Sequence, residues 1–320
     1  MIDELAQHIQ NNVDPSALGV SFSDGLVLND LAAGCYNTNY LLEADGRRFV
    51  VRVNINRDTF EGGNAKKEFQ ILKKVDGRHA PRVFWLDTSF KYPFIIEEFI
   101  EGEGITTLTG DIIRMIATGL GTIHTYPGPE EDNVRSLKEH YIPLLDTRIE
   151  DIAHENEMHD ALLPIATQAR RYCEHHDAWF REHMRPGLLH GDMHCGNILK
   201  TDSGIVFIDW ENCTVGDPAF DIVALFYESE NLQFFPEEKS ITEEQKELFF
   251  RLYEKMNKDP LLKEKVSLLY PLRWLSDTLW LACRICEYES LPEQSRDKPK
   301  AAYERLFWWN IQVVRRTWIR

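Results

Sequence analysis

Asp192 and Asn197 stand five positions apart in the run His190-Gly-Asp-Met-His-Cys-Gly-Asn197, and a second aspartate, Asp209, follows twelve residues after Asn197. Gly191 and Gly196 mark the run as a loop. A tight loop at that spacing can present a base and a metal-binding amide side by side. Asp209 suits the role of charged ligand, because a hard cation such as magnesium prefers carboxylate oxygen. Phosphoryl transfer to an alcohol needs an acceptor for the hydroxyl proton, oxygen ligands for magnesium and cations on the phosphates, all held in line. These side chains meet most of that demand.

The elements that must position them follow from the hydrophobic period. Gly187-Leu-Leu189 leads into the loop, and Ile198-Leu-Lys200, Asp202-Ser-Gly204 and Ile205-Val-Phe-Ile208 read as a hairpin ending at Asp209. Upstream, Leu26 to Leu31 and Tyr40 to Glu43 are apolar-rich runs, and Asp45-Gly46 turns the chain into Arg48-Phe-Val-Val-Arg-Val53. Pro81 to Leu86 and Phe94 to Ile100 read as two further strands. Asn64 to Val75 is helical in period, with Ala65, Glu68, Ile71, Leu72 and Val75 on one face. Glu101-Gly-Glu-Gly104 breaks the pattern, and Ile112, Ile113, Ile116, Leu120 and Ile123 then open a mostly helical remainder.

Glu68 lies within an apolar arc, where an unpaired carboxylate costs several kcal/mol, against about 0–1 kcal/mol gained by an exposed pair. A cationic partner is therefore expected. Arg52, on the third strand, is the candidate, with Arg48 and Glu61 as the alternative residues for such a pair.

The blocks His190-Gly-Asp-Met-His-Cys-Gly-Asn197, Ile208-Asp-Trp-Glu211 and Gly216-Asp-Pro-Ala-Phe-Asp221 fall in that order. They resemble the signature of the aminoglycoside phosphotransferase and choline kinase superfamily, the APH phosphotransferase enzyme family. The resemblance implies an α+β, protein-kinase-like two-lobed fold, with an antiparallel sheet and a helix in the N-lobe and a mostly helical C-lobe. Residues 1–100 would form the nucleotide-binding lobe and 101–320 the catalytic and substrate-binding lobe. It further implies ATP and Mg2+ as cofactors and a small-molecule alcohol as acceptor. Asp192 becomes the catalytic base, Asn197 and Asp209 the magnesium ligands, Asp221 the holder of the catalytic loop and His190 a structural prop.

In the same resemblance Arg52 contacts the α- and β-phosphates and pairs with Glu68. Arginine stands here where protein kinases have lysine, and its fork can still bind phosphate bidentately. Ala32-Ala-Gly-Cys-Tyr-Asn-Thr-Asn39 falls where such a fold covers the phosphates, which points to Gly34 and Asn37. Ile96-Glu-Glu-Phe-Ile-Glu-Gly102 is similar to the lobe hinge, which sets the carbonyl of Glu98 and the amide of Ile100 against adenine. The acceptor pocket falls on later parts of the chain. Glu211, Trp274, Asp277 and Trp280, with Tyr288 and Glu287 nearby, are the candidates there, the tryptophans and acids as a partial cage for an amine. Aminoglycosides, choline or ethanolamine, sugars and homoserine all serve as acceptors in the family, and no motif here separates them.

Composition narrows the field. A formal charge of -16, from 36 basic and 52 acidic side chains, argues against nucleic acid and anionic membranes, which need a basic footprint. It accommodates a cationic acceptor more readily. No apolar run approaches the ~20 residues of a membrane span, and the N-terminus shows no secretory pattern. Six cysteines scattered over 320 residues read as reduced thiols of a cytoplasmic protein. Cys283-Arg-Ile-Cys286 lacks a second pair and reads as two thiols of an apolar helix, and His190 with His194 lies in a glycine-bearing loop rather than on a zinc-binding helix. No G-x-x-x-x-G-K-[ST] is present, which excludes a P-loop ATPase. Asp209 and Asp221 are only twelve residues apart, leaving no room for the activation loop of a protein kinase. A non-catalytic nucleotide-binding protein on the same scaffold is the remaining rival, and it should lack one of Asp192, Asn197 or Asp209.

Overall fold

The computed structural model describes residues 1–33, 37–54, 65–127, 135–152, 157–230, 241–290, 296 and 299–318. Gly34, Glu61 and the side chain of Asn37 lie outside the described residues.

The chain opens with two helices, α1 (Ile2–Asn12) and α2 (Pro15–Leu18), ahead of the first strand. Leu5 and Ile9, four apart and fully buried, are the apolar face that holds α1 to the sheet, a short helical period lost beside the stronger strand signals. Five antiparallel strands follow: β1 (Val27–Ala33), β2 (Asn37–Ala44), β3 (Arg47–Asn54) and, after helix α3 (Ala65–Val75), β4 (Val83–Asp87) and β5 (Phe94–Glu98). Their order across the sheet is β1-β2-β3-β5-β4. The β2–β3 hairpin closes on Asp45 and Gly46 at φ 50° and 71°, the left-handed pair that matches strand twist. Period two then divides β3. Phe49, Val51 and Val53 share a core with Leu5, Ile9, Phe94 and Ile96, while register places Arg52 on the same face as Glu97.

Downstream come β6 (Glu103–Gly104), α4 (Gly110–Ile123), α5 (Leu137–Asp151), α6 (Glu157–His183), β7 (Gly187–Leu189), β8 (Ile198–Thr201), β9 (Gly204–Phe207), β10 (Thr214–Gly216), α7 (Ala219–Glu230), α8 (Glu243–Tyr253), α9 (Leu262–Glu287) and α10 (Lys300–Trp318). The Glu101-to-Gly104 break thus contains a short strand, β6, which pairs with β8 beside β9. Ile71, Leu72 and Val75 of α3 pack into the helical core with Ile105, Ile113 and Phe207, so α3 bridges the sheet and the helices. No described helix is long and apolar enough to cross a membrane.

One buried ionic cluster locks the helical part. Lys265 of α9 is fully buried; its Nζ pairs with Asp217 and lies 2.5 Å from Asp259 Oδ2. It also donates to the carbonyl of His183 at 3.2 Å. Removing the ammonium leaves two carboxylates in a site from which water is excluded. Lys265→Met is expected to lose about 3–5 kcal/mol in urea unfolding, the cost of an orphaned buried charge; a loss below about 1 kcal/mol would show that the site rehydrates.

Candidate active site

Arg52 is the meeting point of sheet, helix and loop. Its Nη1 donates to Glu68 Oε1 at 2.7 Å and its Nη2 to Asp209 Oδ1 at 2.5 Å. Arg52 and Glu68 are each 5% exposed, so the pair expected from the apolar arc of α3 is made, and with Arg52 rather than Arg48. Arg48 instead pairs with Glu101 at the surface. Burial disfavours the Arg52 charge, but Glu68, Asp209, Glu97 and Glu211 together outweigh it and drive its pKa up. Glu97 was not anticipated from sequence. It is 4% exposed, and its Oε2 has no hydrogen-bond partner among the described residues. Burial first, then the charges of Glu68 and Asp209, push its carboxyl up to about 8 despite Arg52. Its only sequence signal was its place in a strand buried on both faces.

The loop before β8 is held from below by Asp221. Its Oδ2 accepts the amide of His190 at 2.7 Å and its Oδ1 that of Gly191 at 3.0 Å. His124 Nε2 lies 3.1 Å from Oδ2, and His124 Nδ1 is 2.7 Å from the Tyr253 hydroxyl. Burial raises the Asp221 pKa, but the hydrogen bond and charge of His124 and the contact with His190 outweigh it and hold the carboxyl below its ordinary value. Gly191 has φ +84°, and a Cβ there would meet the carbonyl oxygen of Asn212 at 2.0 Å, so only glycine fits. His190 Nε2 donates to the carbonyl of Ile208 at 2.9 Å, and its Nδ1 accepts the Asp192 amide at 3.3 Å. With both ring nitrogens engaged, His190 braces the loop against the strand end that carries Asp209.

Asn197 Nδ2 donates to the backbone carbonyl of Asp192 at 2.9 Å and to its Oδ2 at 3.4 Å. His194 Nε2 is 3.7 Å from the same carboxylate oxygen. Asp209, at φ +65°, turns the chain out of β9, and its side chain is 40% exposed. The charges of Asp192 and Asp209 both bear on His194 and on Glu211. Burial, followed by the charge of Asp209, pushes the Glu211 carboxyl up to about 8. Asp192, Asn197 and Asp209 therefore converge, whereas Glu98 and Ile100 lie where β5 leaves the sheet, with the Glu98 amide bonded to the Arg82 carbonyl at 2.8 Å.

The residues present suit a divalent cation. Glu68, Asp209, Glu97 and Glu211 act on the guanidinium of Arg52, and Asp192 bears on Glu211, so carboxyl groups outnumber cations here. With its nitrogen committed to Asp192, Asn197 has its amide oxygen left as a ligand atom. Magnesium needs few protein ligands when phosphates supply the rest.

A cavity of about 350 Å³ lies beside Gly191 and Glu211. Its wall includes Lys67, Arg135, His140, Tyr141, Arg273 and Ser276. Of the expected acceptor residues only Glu211 lines it. Trp274 packs edge-on against Tyr227 with centroids 4.8 Å apart, Asp277 bonds the Tyr227 hydroxyl and, at 3.0 Å, Asn310 Nδ2, and Trp280 packs on Tyr303 at 6.1 Å. These three lie outside the cavity and pack among α7, α9 and α10, while α9 turns Arg273 and Ser276 to it. Helical period alone could not say which face of α9 would meet the cleft.

A family profile described as "Phosphotransferase enzyme family" matches residues 27–264, and the chain belongs to that family. It is 27% identical over 176 residues to the protein LicA homolog of Metamycoplasma hominis, a match covering 54% of this chain and 63% of that relative, so just under two thirds of the relative's length is spanned. Among solved structures, a choline kinase from Cryptosporidium parvum superposes with a TM-score of 0.67 at 16% identity, covering 97% of this chain and 94% of the other. An amicoumacin kinase in complex with AMP-PNP and Ca2+ superposes at 0.65 with 15% identity, covering 99% and 96%. The fold is the two-lobed, protein-kinase-like α+β fold of these enzymes.

The raised pKa of Glu97 has a signed consequence. Because the folded value, about 8, exceeds the ordinary 4.5, the associated stability is fully present below about pH 4.5 and is lost as pH rises through about pH 8. Glu97→Gln, which mimics the protonated acid, should melt a few degrees above the parent in alkaline buffer, with the gap closing toward acid. Parallel melting curves for the two proteins across that range would contradict the assignment.

Proposed function

We propose that the chain is an ATP- and magnesium-dependent phosphotransferase that phosphorylates a hydroxyl of a small molecule. The observation that carries this reading is the convergence of Asp192, Asn197 and Asp209 at the end of a buried Arg52–Glu68 pair. Family membership supports it, as does the nucleotide analogue and divalent cation in a solved structure of the same fold.

In this reading residues 1–100 form the nucleotide lobe and the remainder the catalytic lobe, with the Glu98 carbonyl and Ile100 amide at the hinge toward adenine. Asn197 and Asp209 hold magnesium, which would neutralise charge on the transferring phosphate oxygens. Arg52 receives phosphate oxygens through its fork, and Glu68 keeps that fork in place. Asp192 takes the hydroxyl proton. Its carboxylate is held by Asn197 Nδ2 and its backbone by His190, so the base meets the acceptor in a preset orientation. Asp221 acts one step removed, through the His190 and Gly191 amides. A need for ATP agrees with a cytoplasmic setting, as do the buried thiols of Cys173 and Cys283.

Asp192→Ala is expected to lower kcat by about 10²–10⁴-fold while magnesium-ATP binding persists. Coupled ADP release and nucleotide titration on the same preparation check both halves. Undiminished turnover removes Asp192 from the chemistry, and stabilisation of the parent by magnesium-ATP without ADP release on a broad alcohol panel favours a non-catalytic nucleotide-binding protein.

A further inference from the structure

One buried acid beside Arg52 is left without a partner. Glu97 of β5 is 4% exposed, and its Oε2 takes part in no hydrogen bond among the described residues. A buried polar group left unpaired costs free energy, so such a group marks a place where a ligand can complete the structure. Period two fixes the side from which it acts. Phe94 and Ile96 of the same strand belong to the core of the sheet with Val51 and Val53, so Ile95 and Glu97 stand on the opposite face. On that face the register sets Val50 beside Glu97 and Arg52 beside Ile95.

Asn39 of β2 lies directly across from Arg52 on its other side, and its Oδ1 is likewise buried with no hydrogen-bond partner among the described residues. Two unpartnered polar oxygens therefore flank Arg52 on one sheet face, one on each neighbouring strand. Glu97 is the one beside the hinge, since it immediately precedes Glu98. A nucleotide that lays its base on the Glu98 carbonyl and its phosphates on Arg52 must bring an edge of that base to Glu97. Burial first, then the charges of Glu68 and Asp209, keep this carboxyl protonated up to about pH 8 against the pull of Arg52. A protonated carboxyl offers one donor and one acceptor side by side.

Resting on the phosphotransferase reading and its hinge, we propose that Glu97 reads the nucleobase: one oxygen accepts from the exocyclic amine of adenine, the other donates to N7, and ATP is thereby selected over GTP. That edge of adenine presents a donor beside an acceptor, the pattern that an asparagine or glutamine amide matches with two bonds. The same edge of guanine presents two acceptors, O6 and N7. One of them would face the acceptor oxygen of Glu97 and stay unpaired. A carboxyl that merely steadied Arg52 would act on both nucleotides alike, because the triphosphate is common to them.

Calorimetric titration of the full chain with three magnesium nucleotides reads this site without an acceptor. The three are ATP, GTP and 7-deaza-ATP, whose base carries C–H in place of N7. ATP is expected to bind about 10–100-fold more tightly than GTP, and 7-deaza-ATP more weakly than ATP. Glu97→Met should narrow the preference over GTP by about tenfold and make ATP and 7-deaza-ATP bind alike. Glu97→Gln keeps one donor and one acceptor, so it should retain both preferences, and it guards against a folding defect in the first variant. Equal binding of ATP and 7-deaza-ATP by the parent, or a loss in Glu97→Met that is the same for ATP and GTP, overturns the base assignment. Coupled ADP release on an alcohol panel, run beside the titrations, keeps the two readings apart. Turnover accompanied by either of those results leaves phosphotransfer standing without the base assignment. A Glu97-dependent preference for ATP with no ADP release upholds the base assignment and overturns phosphotransfer, and no binding of any of the three nucleotides overturns both.

Discussion

A single buried guanidinium joins the two lobes of this molecule. Arg52 stands on a central strand of the sheet, reaches Glu68 on α3 and Asp209 at the end of β9, and shares its field with Glu97 and Glu211. A charge so placed is tolerable only because every direction around it offers a carboxylate. The converse also holds: these acids are tolerable together only while Arg52 is present. The excess of carboxyl groups over cations that remains would suit a divalent cation.

The loop bearing Asp192 obeys a different logic, that of backbone hydrogen bonds. Asp221 accepts two consecutive amides, His190 ties the Asp192 amide to the Ile208 carbonyl, and Gly191 takes a conformation and a proximity to Asn212 that a side chain would forbid. The proposed base is therefore fixed in place by groups that do not touch a substrate. His124 and Tyr253 extend this support to α4 and α8, so the helical core backs the loop directly.

Overall charge does not fix local charge. The chain is acidic, yet the cavity next to the loop brings Lys67, Arg135 and Arg273 together with Glu211 and Asp221, while Trp274, Asp277 and Trp280 lie outside it, packed between helices. Net charge governs solubility and long-range steering, whereas recognition is decided by the few groups within about a Debye length of the ligand, roughly 8–10 Å.

Much of the site was legible in residue order because its geometry is local. The span from His190 to Asp221 closes on itself through a tight loop and a hairpin, so spacing alone brings Asp192 and Asn197 together and delivers Asp209 to the same end. The pairing of Arg52 with Glu68 was legible for a thermodynamic reason, since a carboxylate on an apolar helix face demands a cation. By contrast, Glu97, Lys67, Arg135, His140 and Arg273 belong to elements far apart in the chain, and their roles depend on strand register and on which face of α3 and α9 turns toward the cleft. Sequence by itself thus determined the chemistry on offer, through short-range constraints that any fold of these residues must satisfy. Only the tertiary structure decided which side chains line the cavity, because packing alone brings residues of distant elements face to face.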